Sequence, residues 1–407
     1  LSLTANTTGA CNTAIGYESL RSNTTALHGV AVGYEALDAN TTPNGNVAVG
    51  FRAAKSNVTG SSITAVGHCA LSANTGNNNT ALGFDALKIN QSGASNTAVG
   101  NLALAANSSA SANTAVGQNA LTANTTGTEN VAIGTNALDA NTTAGCNVGV
   151  GHGVLSDNTT GNSNVAMGRN ALGSNTTASC NTAIGHSALV LNTTGCLNVA
   201  VGFNALKANT TGEFNSGIGA GSLQTNTTGG ENAGSGYNAL ALNTTGCKNV
   251  AFGKSSLEAN TTASNNTAVG FSALKLNTTG DENTAVGKCA MACNTTGSAQ
   301  TGIGNQALRD ATTGVANVGL GNNAGLNVTT GSNNILIGKD SGRTGTPGGA
   351  ITTASNNVVL GDENISGLFC ADTSISSSDL RDKTDIEDFT HGLDFVTKLN
   401  PKTYRWD

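Results

Sequence analysis

Apolar residues along most of the chain fall into two short clusters that return every 17 positions. The first is an alternation, Asn-Thr/Val-Ala-Val/Ile-Gly, in which the residue before the glycine is apolar: Ile15, Val32, Val49, Val66, Val99, Val116, Ile133. Period-2 alternation over a few β-branched residues predicts a short strand. The second cluster is a leucine four residues after the glycine, as at Leu20, Leu37, Leu71, Leu87, Leu104 and Leu121, usually preceded by alanine. Asn-Thr-Thr-Gly follows and signals a turn. From Gly16 to Gly338 the glycine recurs over 19 intervals; 18 are 17 residues long and one, Gly67 to Gly83, is 16. Such a register marks one structural unit used again and again.

A unit of this size cannot bury two apolar clusters alone, whereas stacked copies place like on like at about 4.8 Å spacing. The pattern therefore predicts an all-β chain, a parallel β-solenoid of about twenty coils over residues 1–361, with the valine and leucine columns inside. Each coil gains only a few kcal/mol from its valine and leucine at ~0.8 kcal/mol per buried methylene, so stability must be collective. After Gly338 the period breaks through Gly342 to Gly349, and one more strand copy, Asn357 to Gly361, arrives six residues late as an irregular last coil.

Two columns carry alternative readings. The alanine two residues before each glycine (Ala14, Ala31, Ala48, Ala65, Ala98, Ala115) is expected to face away from the valine column, leaving a flat surface for lateral packing of chains, most simply as a homotrimer. The alternative is that small residues merely suit a tight coil. The asparagine seven residues after the glycine, present in 17 of the first 18 coils, suits a ladder of side-chain hydrogen bonds. It also opens an Asn-Thr-Thr sequon, the glycosylation alternative.

Composition narrows the function. With 54 glycines, 3 prolines, 3% aromatic and 10% charged residues, the chain lacks the large side chains and surface charge of ordinary globules. A net charge of −6 without a basic cluster removes the footprint that nucleic acid requires, and no apolar run is long enough to insert in a bilayer. The nine cysteines show no disulfide framework and read as mostly free thiols. Leu1 to Asn6 read as the second half of a repeat, so the chain is expected to begin inside a longer protein.

Little catalytic chemistry is expected in the solenoid. Gly217 to Gly221 imitate a phosphate loop but open no helix. His68, His152 and His186 share one column in coils too distant to converge, so no metal site and no cofactor are predicted. The residue after the glycine reads Tyr17, Tyr34, Phe51, His68 and Phe84 in five successive coils, with Glu18, Glu35, Arg52 and Asp85 in the next column. Tyr17, Tyr34, Phe51 and Phe84 are candidate binding residues for sugars or a neighbouring chain; the alternative is that the rings cover the corner of the coil and pack on one another.

Beyond residue 361 the composition changes: a linker at 362–378 leads to a segment at 379–407 that holds the chain's only tryptophan, Trp406. Ser378-Asp379-Leu380-Arg381-Asp382-Lys383, then Gly392-Leu393 and Pro401-Lys402-Thr403-Tyr404-Arg405-Trp406, resemble the opening of the endosialidase-type intramolecular chaperone. That family sits at the C-terminus of phage tail spikes and fibres, trimerises them and then releases itself. The resemblance implies cleavage between Ser378 and Asp379, with Ser378 as nucleophile and Lys383 as its base. It implies a virion or extracellular location, a fibre shaft involved in host attachment, and as partners other copies of the chain, other virion tail proteins and a host cell-surface glycan or protein. The solenoid is also similar to the heads of trimeric autotransporter adhesins, which leaves a bacterial adhesin or extracellular filament as the alternative. An ice-binding solenoid is disfavoured, because the threonine pairs sit at a turn and not in a flat Thr-x-Thr array.

Overall fold

The computed structural model of the chain describes residues 1–346 and 348–367. It divides into two units, Leu1–Asn364 and Ile365–Asp407, and the first is the solenoid. Each coil contributes one three-residue strand, from β1 (Thr13–Ile15) and β2 (Val30–Val32) to β20 (Ile335–Ile337) and β21 (Val358–Leu360). Every strand pairs in parallel with the next one along the chain, so like residues stack: Thr97 on Thr114, Ala98 on Ala115, Val99 on Val116. The 16-residue interval is absorbed without loss of register, Ala65 pairing with Ala81, and the late copy joins the sheet with Ile335 beside Val358. No helix among the described residues is long and apolar enough to cross a membrane.

The strands are short because the backbone turns immediately after them. The repeat glycine has φ between +109° and +144°, a region essentially closed to residues with a Cβ. A Cβ at Gly117 would also lie 2.4 Å from the carbonyl oxygen of Gly134 in the next coil. Left-handed residues then bend the chain: in one coil these are Ala112, Asn119 and Leu121, with φ of 59°, 58° and 51°. The leucine at such a bend is carried across the coil onto the inner face of the sheet.

That crossing reverses one expectation. The leucine column is inside as predicted, but the valine column is not: Ala98, Ala115 and Ala132 are fully buried, whereas Ile133 is 40% and Ile184 39% exposed. The alanines cannot be the chain-to-chain surface, since they are the floor of the core. The reason is width. A Cβ on Gly149, which replaces the alanine in one strand, would stand 3.1 Å from both Leu138 Cδ1 and Val154 Cγ1. Opposite a leucine, the coil admits nothing much larger than alanine. Where Gly325 takes the leucine's place, the alanine position becomes Leu336, which fills the vacated volume.

Two asparagine ladders complete the interior. Asn107, seven residues after its glycine, donates through Nδ2 to Asn90 Oδ1 at 2.7 Å and to the Ala110 carbonyl at 3.0 Å, and Asn124 continues upward to Asn107 at 3.2 Å. These asparagines are fully buried, which leaves the nitrogens inaccessible to a glycan and accounts for the column structurally. A second ladder, not anticipated, uses the asparagine four residues before the glycine. Asn113 Nδ2 donates to the Gly127 carbonyl at 2.9 Å while the Asn113 amide donates to Asn96 Oδ1 at 3.0 Å. Between them the ladders satisfy turn carbonyls and amides that the three-residue strands leave unpaired.

Candidate functional site

On the outer surface of the first five coils runs an uninterrupted column of rings. There the residue after the glycine projects outward, and Tyr17, Tyr34, Phe51, His68 and Phe84 stack with ring centroids 5.2, 5.4, 5.0 and 5.0 Å apart and planes within 16° of parallel. Coil spacing sets the separation, since each ring inherits the rise of the sheet. The geometry has a chemical consequence. Ring faces are covered by the rings above and below, so a sugar could stack only at the two ends of the ladder. Along its length the ladder presents edges and the two tyrosine hydroxyls. Of the two readings of this column, mutual packing of the rings is what the distances describe.

Charged side chains flank the ladder, two and five residues after the glycine. Arg21 bridges Glu18 at 3.0 Å and Asp38 at 2.9 Å; Glu35 receives Arg52 at 2.7 Å and Lys55 at 2.6 Å; Lys88 holds Asp85 at 2.8 Å. The Lys55 and Arg52 hydrogen bonds hold the Glu35 carboxyl below its ordinary range. Burial pushes Asp38 upward, against the pull of Arg21. Arg52 also lies over the Phe51 ring, 4.9 Å from its centroid, so the charged column and the aromatic column are tied together. This stripe is fixed by its own contacts.

His186 stacks on Phe203 at 5.6 Å, and His152 meets neither His68 nor His186 in a common cluster. The eight cysteines among the described residues are free. One juxtaposition was missed in the sequence: His68 and Cys69 of one coil meet Asp85 of the next, their ligand-type atoms all within 4.8 Å of one another. A search for several ligands close in sequence passes over it, whereas counting from each repeat glycine finds it, because Cys69 and Asp85 both stand two residues after one. Gly217 to Gly221 form the end of a strand and its turn, as expected of the repeat.

The outward columns of the strands make a second surface. Ile133, Met167, Ile184, Ile218, Phe252, Ile303 and Leu320 are all exposed large apolar residues of the column that precedes the glycine. Phe252 is 61% exposed and stands at the edge of a shallow dent floored by Ser216, Ala233 and Ser235, where the outward residues become small.

Ser378, Asp379 and Lys383, the residues of the expected cut, lie outside the described residues. No curated protein matches the chain. The family described as chaperone of endosialidase matches residues 378–407, so the segment after the solenoid is similar to the chaperone that resembles it in sequence, and this end joined to a parallel β-solenoid fits a tail-spike-type fibre.

Proposed function

We propose that the chain is the shaft of a homotrimeric tail spike or fibre carried on a virion, serving host attachment and assembled by a self-cleaving chaperone. The observation that carries this reading is the order of its modules: a solenoid in unbroken register from β1 to β21 followed by the chaperone of endosialidase match at residues 378–407. A solenoid of this kind has a mechanical use as a spacer, and its buried ladders fix the height of each coil.

The trimer contact in this reading is the outward face of the sheet and not the alanine column. Soluble monomers rarely expose contiguous apolar patches beyond a few hundred Å², and the column that precedes the glycine is apolar in every strand but the one that ends at Ser235. In a parallel trimer, like coils meet at like heights. Small residues at Ser216, Ala233 and Ser235 leave room beside the three Phe252 rings. Replacing Ile133, Met167 and Ile184 together by glutamate is expected to give a folded monomer in sedimentation, with the far-ultraviolet spectrum of the wild type; a trimer of unchanged stability would exclude this face.

Self-cleavage in this reading hydrolyses the Ser378–Asp379 bond: Lys383 takes the Ser378 hydroxyl proton as Oγ adds to the scissile carbonyl carbon and returns it to the departing Asp379 amine as the C–N bond breaks, and water then hydrolyses the ester to free the new carboxylate. Lysine must be partly neutral to do so, which requires a lowered pKa in the assembled chaperone. In protein carrying the complete chaperone, mass spectrometry is expected to find a chain ending at Ser378 for the wild type, and uncut chains for Ser378→Ala and Lys383→Ala. Equal cutting in all three would point to an outside protease.

A further inference from the structure

We propose that His68, Cys69 and Asp85 form a binding site for a transition-metal dication of the zinc class, joining two successive coils. Among the described residues they are the one trio of such groups with ligand atoms this close, all within 4.8 Å of one another. His68 Nδ1 and Asp85 Oδ1 are 3.9 Å apart. Ligands held about 2.0–2.3 Å from a tetrahedral zinc stand roughly 3.4–3.8 Å from each other, so a small side-chain adjustment closes the set.

Independent features point to a ligand. Asp85 is only 7% exposed, and its Oδ1, which faces His68, has no hydrogen-bond partner. A buried carboxylate oxygen left unpaired is costly, and a cation would satisfy it. The other oxygen, Oδ2, is held by Lys88 Nζ at 2.8 Å, which fixes the carboxylate with Oδ1 turned to the site, as outer-shell partners of metal ligands do. The His68 ring is clamped between Phe51 and Phe84 at 5.0 Å on each side, so its donor atom is held in direction too.

The donor set selects the metal. One imidazole nitrogen, one sulfur and one carboxylate oxygen suit zinc or cobalt and do not suit the oxygen-seeking magnesium or calcium. Three protein ligands beside a half-exposed histidine leave the fourth position to water. Burial and the nearby Asp85 push the Cys69 thiol above its ordinary range, so it enters as the thiol. Coordination replaces its S–H bond by an S–metal bond and passes the proton to solvent, with no change of oxidation state. The site spans the 16-residue coil, Gly67 to Gly83, where it would fasten the shortened turn to its neighbour.

Cys289 supplies the control. It stands two residues after its glycine, like Cys69, but has Lys288 beside it and Gln306 in the following coil. Full-length reduced chain, stripped of metal, should take up Co²⁺ with a sulfur-to-cobalt charge-transfer band and tetrahedral ligand-field bands that saturate at one equivalent, and Zn²⁺ should abolish them. Cys69→Ser should lose the charge-transfer band, and His68→Phe, which keeps the ring stack, should weaken cobalt binding by more than the roughly 10–100-fold that an outer-shell partner is worth. Asp85→Asn should do the same, and Cys289→Ser should bind as the wild type. Absence of the band in folded wild type, its survival in Cys69→Ser, or an equal loss in Cys289→Ser would each overturn the site.

Discussion

Gly117→Ala is expected to destabilise the solenoid by about 2–6 kcal/mol, the sum of a backbone conformation closed to alanine and an overpacked contact. The glycine has φ +138°, and a Cβ there would stand 2.4 Å from the Gly134 carbonyl oxygen and 2.6 Å from its carbon. Both obstacles are backbone atoms, so no rotamer change relieves them. Opening the space would push neighbouring coils away from each other and break the ladders that pass through them. Gly45→Ala is the comparison: its φ is +67° and the nearest obstacle is Ser62 Oγ at 4.0 Å. Alanine already occupies that position of the repeat at Ala112, with φ 59°. The cost at Gly45 is therefore only the left-handed backbone, about 1–2 kcal/mol. Urea unfolding of the two variants separates them, and similar midpoints would show that the stacked glycine column is not what holds the spacing.

The period, the leucine column and the first asparagine ladder were legible because each is a fixed count from the glycine. Which side of the strand faces inward was not. Alternation says that one face is buried, and a shift of one residue exchanges the faces. The apolar bulk of Val32 and Val49 argued for the inside, but the crossing leucine leaves the interior room only for Ala31 and Ala48. The signal that could have decided it lay in the exceptions. Gly149 occurs with Val154 in place of the usual alanine, and Leu336 follows Gly325 in place of leucine. Paired losses and gains of volume mark positions that face each other across a core, and a surface column has no reason to show them.

The candidate site was only partly legible, for a similar reason. Tyr17 to Phe84 were visible as one column, but the finding that each ring covers the face of the next depends on the coil rise and the ring planes. His68, Cys69 and Asp85 were all visible in the sequence and were not joined, since 16 residues separate Cys69 from Asp85. In a solenoid, residues one repeat apart are neighbours as close as i and i+4 on a helix. Histidines compared only with other histidines in their own column conceal a cluster built from two columns.

The second asparagine ladder gives the other large effect. Asn113→Leu is expected to cost about 1–3 kcal/mol from lost hydrogen bonding alone, although leucine has the same branched arrangement of side-chain heavy atoms as asparagine. Asn113 Oδ1 accepts the Asn130 amide at 3.0 Å and Asn130 Nδ2 at 3.2 Å, and its own Nδ2 serves the Gly127 carbonyl at 2.9 Å. Leucine leaves all of these buried groups in place and removes their partner, at about 1–3 kcal/mol for each group that nothing else satisfies. Asn130 Nδ2 keeps the Ala144 carbonyl at 2.8 Å and the Gly127 carbonyl keeps Asn124 Nδ2 at 3.0 Å, so the Asn130 amide carries most of the loss. Asn162 tests whether burial is the cause. Its Oδ1 accepts the Gly145 amide at 2.8 Å, but on the exposed side of the coil, where water can replace it. Asn162→Ala should therefore cost less than about 1 kcal/mol. Because each coil touches only its neighbours, the loss at Asn113 should be local: amide exchange is expected to accelerate in the coils around Asn96, Asn113 and Asn130 and to stay near wild type around Asn249 and Asn266. Uniform acceleration along the stack would mean that the ladder acts as one cooperative column, and no acceleration at all would remove it from the account of stability.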